Sequence, residues 1–381
     1  GWSLGRVHLG ESEAMGLLLA LAVSGCVSPE SWEATRLLKD IDAAGGPSAL
    51  KQSTPEPRRS SLRYTVDGRA GLADLYEPRQ PLGGALVLVP GFTEAGKNDR
   101  RVVELARSLA RARFAVLVPE VPGSRQQRVR LEDTRDIADA VLFLKQQRPE
   151  IARQGVGLVA ISYAVGLSVL ASREVEGEAP VDFLVGLGGY YDTAAVVTFA
   201  TTARYRLPDA RRWSRGRPLE AAKWIFLASN AAVLETPSDR RRLEDLGESC
   251  LQGCDPDVEA LAKDLSPDGR ALLALITNSD PTRVPDLLRA LPPSVASRLA
   301  ALSLARRDLT FLEGRLILIH GRLDSLIPFS ESLALARAVP RSEVFIIEGF
   351  SHITPRAVGW AGQLQLIDAI QAVLQRRQPA P

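Results

Sequence analysis

The sequence predicts an α/β protein with a mostly parallel, doubly wound sheet. Three observations carry that expectation. Short apolar runs without polar alternation recur along the chain, as in strands covered on both faces. Stretches with helical periodicity separate them, the rhythm of a wound sheet. One run, Val156 to Ile161, ends abruptly at Ser162 and gives way at once to helical spacing.

The 381 residues are 45% apolar, enough for a full core, and the formal net charge is only +2. A charge so near zero gives no sign of a nucleic-acid surface or a polyanionic partner. Arginine greatly outnumbers lysine, which reads as compositional bias and not as a phosphate site. The three cysteines, at 26, 250 and 254, are too few for a disulfide scaffold and lack the paired spacing of a zinc site.

Met15 to Val27 holds the apolar core Gly16 to Val23, followed by Val23-Ser24-Gly25-Cys26. The run is shorter than the roughly 20 residues a spanning helix needs, but fits the apolar region of a signal peptide. Its last four residues resemble the lipobox of bacterial lipoproteins. The resemblance implies residues 1–25 as signal peptide, lipidation of Cys26 and a lipid-anchored place in the bacterial cell envelope. The alternative is a fortuitously apolar helix with Cys26 buried, in a cytoplasmic protein. Residues 26–60, rich in Pro, Ser, Glu and Arg apart from a short helical stretch at Trp32 to Ile41, then read as a tether.

Residues 61–192 read as the first part of the core. Leu62 to Tyr76 alternates about Asp67-Gly68 and predicts a hairpin. Ala85 to Val89 is a strand leading into Pro90-Gly91-Phe92. Asp99 to Ala112 is a helix, Phe114 to Pro119 a strand, and Asp133 to Gln147 a helix capped by Asp133 or Thr134. The strand before Ser162, its following helix and the strand Val181 to Leu187 complete this part. Gly96-Lys97 lacks the spacing of a phosphate-binding loop.

From 193 to 312 no strand pattern is visible. Helix starts at Ser266-Pro267-Asp268, Asp280-Pro281 and Pro293-Ser294 predict a helical cap inserted before the penultimate strand. Residues 313–381 resume the core, with strands at Arg315 to Ile319 and Glu343 to Ile347 and helices from Ser330 to Val339 and Gly362 to Gln375. Asp192, just before the insertion, reads as a helix cap.

Ser162 lies in Ala160-Ile161-Ser162-Tyr163-Ala164, a strand-to-helix turn with small residues two positions either side. Such a turn pushes a serine hydroxyl clear of the sheet. Ser108 and Ser303 have similar neighbours but no strand before them. A serine nucleophile needs a base, and the base an orienting carboxylate. His8 falls in the presumed signal. His352 follows the last strand in Glu348-Gly349-Phe350-Ser351-His352 and is the favoured base, whereas His320 ends a strand and reads as structural. Asp324 sits one strand before His352, while Asp308 lies at the wrong end of its strand.

Ser162, Asp324 and His352 thus fall in the order serine, acid, histidine at successive strand ends. In this the chain resembles the α/β-hydrolases over roughly residues 62 to 378, the insertion excepted. The resemblance implies an α/β-hydrolase fold, cleavage of a small-molecule carboxylic ester through an acyl-enzyme at those three residues, and no metal or organic cofactor. It implies an oxyanion hole formed by the backbone N–H groups of Phe92 and Tyr163. Thioesters and peptides share the same machinery, and a non-catalytic lipoprotein using this fold as a binding scaffold is the rival reading. Cys250 and Cys254 are expected either to pair, if the protein is exported, or to remain two thiols.

Overall fold

The computed structural model describes residues 28–251, 253–350 and 358–377. The signal-peptide and Cys26 expectations lie outside these residues. Among the described residues no helix is long and apolar enough to cross a membrane.

The chain opens with a correction. Residues 28–53 are not a solvated tether: Pro29–Asp42 and Ala49–Ser53 are helices, each started by a serine whose hydroxyl accepts a main-chain N–H, Ser28 from Ser31 and Ser48 from Lys51. Ala34 and Leu37 are buried in the core, and Glu33 pairs with Arg377 at 2.6 Å. Asp40, 1% exposed, accepts from Lys51 and Ser108, both at 2.6 Å, and from Ser48. Burial pushes its carboxyl up, yet these donors together hold it below its ordinary range. The polar composition of this stretch thus serves caps and one buried cluster, not solvation.

Strands β1 (Arg58–Val66) and β2 (Arg69–Glu77) form the expected hairpin. Its two turn residues both have positive φ, 49° at Asp67 and 78° at Gly68, the conformation that Asp-Gly supplies most easily. Then follow β3 (Gly84–Val89), β4 (Phe114–Pro119), β5 (Val156–Ile161), β6 (Phe183–Leu187), the two-residue strands β7 (Arg204–Tyr205) and β8 (Ser214–Arg215), β9 (Leu316–Gly321) and β10 (Glu343–Ile347).

Eight strands make one sheet in the order β1-β2-β4-β3-β5-β6-β9-β10. β2 runs antiparallel to both its neighbours and the other pairings from β4 to β10 are parallel. This is the α/β-hydrolase fold. Two apolar layers cover the sheet: Ile137, Val141 and Leu167 pack on one face, and Val103, Leu109 and Ala369 on the other. Strands β3, β4 and β5 are buried at every position, which explains why they read as unbroken apolar runs.

Between β6 and β9 the chain is helical, as expected, except for the short β7–β8 ladder that the sequence did not reveal. Trp224, Leu227, Leu243, Leu272 and Val295 give this insertion its own core. The chain enters and leaves it side by side. Tyr190 donates its hydroxyl to the Leu302 carbonyl at 3.0 Å, Leu304 N–H donates to Tyr191 at 2.9 Å, and Ser303 donates to Asp192 at 3.2 Å. Of the three expected helix starts, Ser266 and Pro293 hold. Asp280 instead closes a turn onto Thr282, and the helix begins at Val284.

The Asp40 cluster separates a packed N-terminal arm from a tether. Asp40→Ala is expected to lower unfolding free energy by about 2 kcal/mol, the scale for stranding buried hydrogen-bond partners, and to expose Arg36 and Lys51 to trypsin. Denaturant melts and limited proteolysis measure both; a neutral substitution would restore the tether.

Candidate active site

Ser162 follows the last residue of β5 and has φ 59°, the left-handed region that a serine adopts only when its surroundings impose it. Two bonds impose it here. Ser162 N–H donates to the Leu187 carbonyl of β6 at 2.7 Å, and its own carbonyl accepts from Val165 N–H at 3.0 Å as the helix Ala164–Val175 begins. Ala160 and Ala164 are fully buried. The close approach behind the turn falls at Gly166 and Gly189, where an added Cβ would lie 2.2 Å from the Tyr190 ring and 2.4 Å from Val165.

Because β3, β5, β6 and β9 are parallel, the loops after them emerge along one edge. After β3, an added Cβ at Gly91 would sit 3.4 Å from the Ser162 Cβ. Phe92 and Tyr163 stack with ring centroids 4.1 Å apart. Among the described residues, no main-chain or side-chain acceptor is bonded to the N–H of Phe92 or Tyr163.

Two buried polar residues, Ser124 and Asp133, hold this loop. Ser124, fully buried, donates its hydroxyl to the Gly91 carbonyl at 2.5 Å and accepts Thr93 N–H at its own carbonyl at 3.1 Å. Asp133, expected as a helix cap, instead turns to Gly123 and accepts its N–H at 2.9 Å. The helix starts without a side-chain cap, at Glu132. Burial pushes the Asp133 carboxyl up to about 7, partly opposed by Arg130. The pattern Asp-Thr before a helix cannot distinguish a cap from a reach across to another turn; that depends on tertiary position.

Asp324 lies in the loop after β9, 7% exposed. One carboxylate oxygen accepts the N–H groups of Leu326 at 2.8 Å and Ile327 at 3.0 Å; the other lies 3.4 Å from His320 Nε2. His320 is buried with both ring nitrogens engaged. Its Nε2 lies 2.9 Å from the Ile327 carbonyl, which can only accept, and its Nδ1 is hydrogen-bonded to the Ser332 hydroxyl at 2.7 Å. That is a structural histidine bracing the Asp324 loop. His352 lies outside the described residues. The chain is described up to Phe350, whose carbonyl accepts Leu323 N–H at 3.2 Å, one residue before Asp324.

A cavity of about 110 Å³ opens beside Ser162. Phe92 and Tyr163 wall it on the sheet side, Ile225, Phe226 and Leu299 come from the insertion, and Leu326 from the loop of Asp324. The sequence placed the insertion over the strand ends but could not say which of its residues reach the serine.

Asp192 caps the helix Thr193–Thr202 as expected, accepting Ala194 N–H at 3.0 Å. Glu331 was not anticipated. Fully desolvated, it accepts the N–H groups of Tyr191 at 2.9 Å and Asp192 at 2.7 Å, tying the entry of the insertion to the helix Ser330–Ala338. Cys250 and Cys254 are paired, with Cα atoms 4.8 Å apart. Cys250 caps the end of its helix and Cys254 lies beyond it, so the two do not share a helix face.

No family model and no curated protein matches the sequence. Solved structures do match. The thermophilic carboxylesterase EstE1, cloned from a metagenomic library, is 14% identical with a TM-score of 0.46, over 92% of this chain and 98% of its own. A fungal esterase of Rhizomucor miehei is 14% identical at 0.49, over 92% and 97%. The acylaminoacyl peptidase of Pyrococcus horikoshii is 11% identical at 0.44, over 85% of this chain and 42% of that longer one.

Burial pushes the Glu331 carboxyl up to about 7, against the pull of its two N–H donors. A carboxyl raised on folding contributes stability that is complete below its unfolded value and is lost as pH rises through the folded one. Glu331→Gln keeps an acceptor and cannot ionise. Its melting temperature relative to the parent is therefore expected to climb between about pH 5 and about pH 8, and calorimetry at both ends reads the difference. A constant offset would show that Glu331 is not the titrating group.

Proposed function

We propose that this chain is a serine hydrolase cleaving carboxylic esters through an acyl-enzyme. The observation that carries the reading is Ser162, held at positive φ on a strand-to-helix turn and facing an apolar cavity. In this reading the Ser162 hydroxyl attacks the ester carbonyl while His352 takes its proton. Asp324 fixes the orientation and charge of His352. The N–H groups of Phe92 and Tyr163 receive the oxyanion, and the lack of an acceptor for either among the described residues supports that role. Collapse expels the alcohol, protonated by His352, and water then releases the acid by the same steps reversed. The reaction draws on no metal or organic cofactor.

The largely apolar cavity walls favour a short apolar acyl or alcohol group, with Ser229, Asn230 and Arg298 as the polar side chains of the insertion that border it. The same machinery accepts thioesters and activated amides. Export and lipid anchoring at Cys26 belong to the same proposal. The Cys250–Cys254 bridge supports an oxidising compartment.

A fluorophosphonate probe tests the assignment. The parent protein is expected to label and Ser162→Ala to lose the label. On p-nitrophenyl esters of graded chain length, His352→Ala is expected to lower kcat by at least about 10³-fold, the scale for disabling a triad. His320→Ala should act chiefly through stability, with most of the turnover per folded molecule retained. No labelling of folded parent protein would favour a non-catalytic scaffold, and equal losses at both histidines would mean the base is misassigned.

A further inference from the structure

Between the helices Thr193–Thr202 and Glu220–Ala231 the chain runs from Arg204 to Arg217 with six arginines in fourteen residues, at 204, 206, 211, 212, 215 and 217. Five of them, all but Arg204, are exposed. Among the described residues none of the six has a carboxylate within ion-pair distance. The one acid of the segment, Asp209, bonds Arg337, and Glu220 just beyond it pairs with Lys223 at 2.5 Å. The near-zero net charge of the whole chain conceals this concentration.

The arrangement is costly as it stands. In the β7–β8 ladder Arg204 lies directly opposite Arg215, and like charges facing across antiparallel strands are destabilising. Arg215, Arg217 and Lys223 also share the wall of an open concavity of about 800 Å³, together with Thr201, Thr202 and Glu220. Both features become favourable when phosphate-sized anions sit among the guanidinium groups.

Apolar side chains stand among the charges. Leu207 is 38% exposed and Leu219 50% exposed, while the Trp213 ring is covered by Arg206 with its guanidinium 3.8 Å from the centroid. The segment is fixed to the active-site edge. Tyr205 packs edge-on against Phe329, centroids 5.7 Å apart, and Leu219 N–H donates to the Ser325 carbonyl beside Asp324 at 2.7 Å. The helix that follows carries Ala222, Ile225 and Phe226 into the cavity wall.

We propose that Arg204–Arg217, flanked by Leu219, is a docking surface for a bilayer rich in anionic phospholipid. The arginines engage headgroup phosphates while Leu207 and Leu219 enter the acyl boundary. A soluble polyanion offers no apolar phase for the two leucines, and one face of the Trp213 ring is already covered by Arg206. Docking here sets the mouth of the Ser162 cavity beside the membrane. The surface stands independently of the hydrolytic assignment.

Vesicle sedimentation tests it, with the full chain carrying Cys26→Ser so that no acyl group brings it to the membrane. The chain is expected to pellet with equimolar phosphatidylcholine and phosphatidylglycerol, not with phosphatidylcholine alone, and to be released by salt. Each arginine neutralised near an anionic surface lowers partitioning about fivefold. Arg211→Gln, Arg212→Gln and Arg217→Gln combined should therefore weaken binding about 100-fold, with an unchanged melting temperature. Ser162→Ala should pellet like the parent, which keeps this result apart from any failure of the catalytic reading. Equal pelleting with both vesicles, or pelleting indifferent to the triple substitution, overturns the proposal. So does binding to heparin with none to vesicles, which would point to a soluble polyanion.

Discussion

The hydrogen bond from Ser162 N–H to the Leu187 carbonyl is the constraint on which the site depends. A left-handed backbone at a non-glycine residue costs on the order of 1 to 3 kcal/mol. It persists only where neighbours over-determine it, and here β6 fixes the amide on one side while the helix Ala164–Val175 takes the carbonyl on the other. The strain is borne by two buried elements that have no freedom to relax. A serine in that position projects from the edge of the sheet instead of lying along it.

What surrounds the serine follows from strand direction. Parallel strands deliver their carboxyl ends to one edge, so loops far apart in sequence converge without any long-range design beyond the sheet itself. Each loop then needs its own fixing. Ser124 and Asp133 fix the loop of Phe92, His320 and Ser332 brace that of Asp324, and Glu331 secures the chain as it leaves for the insertion. These are buried polar groups with directed partners, the kind whose loss costs more than their presence contributes.

The sheet was legible in the sequence because burial on both faces writes a strand as an unbroken apolar run, and the serine was legible because a strand stopping at Ser162 has few other meanings. Asp324 and His352 were selected by chain order and by the scarcity of histidines, a weaker warrant than geometry. The polar braces were not legible. Asp133 and Glu331 bond main chain across helix and loop boundaries, and no local pattern distinguishes such a carboxylate from a cap or a solvated surface acid. The N-terminal helices were misread for a related reason: their apolar face is narrow, so much of their hold comes from Asp40 and Glu33, whose partners Ser108 and Arg377 are remote in sequence.

The insertion divides the labour of the molecule. Reactive groups come from the sheet edge, while much of the cavity wall comes from helices with a separate apolar core, joined through a neck of paired bonds at Tyr190–Asp192 and Leu302–Leu304. A change inside the insertion core can therefore reshape the cavity without disturbing Ser162, since the two share few packed side chains. The helix Glu220–Ala231 couples them: its first turn borders the arginine-lined concavity, its middle faces the serine, and the residue before it is bonded to the loop of Asp324. The helix Thr193–Thr202 makes a second link, with Thr193 and Val196 at the cavity and Ala200 to Thr202 at the concavity, and Glu331 holds its start to the helix Ser330–Ala338 beyond the Asp324 loop.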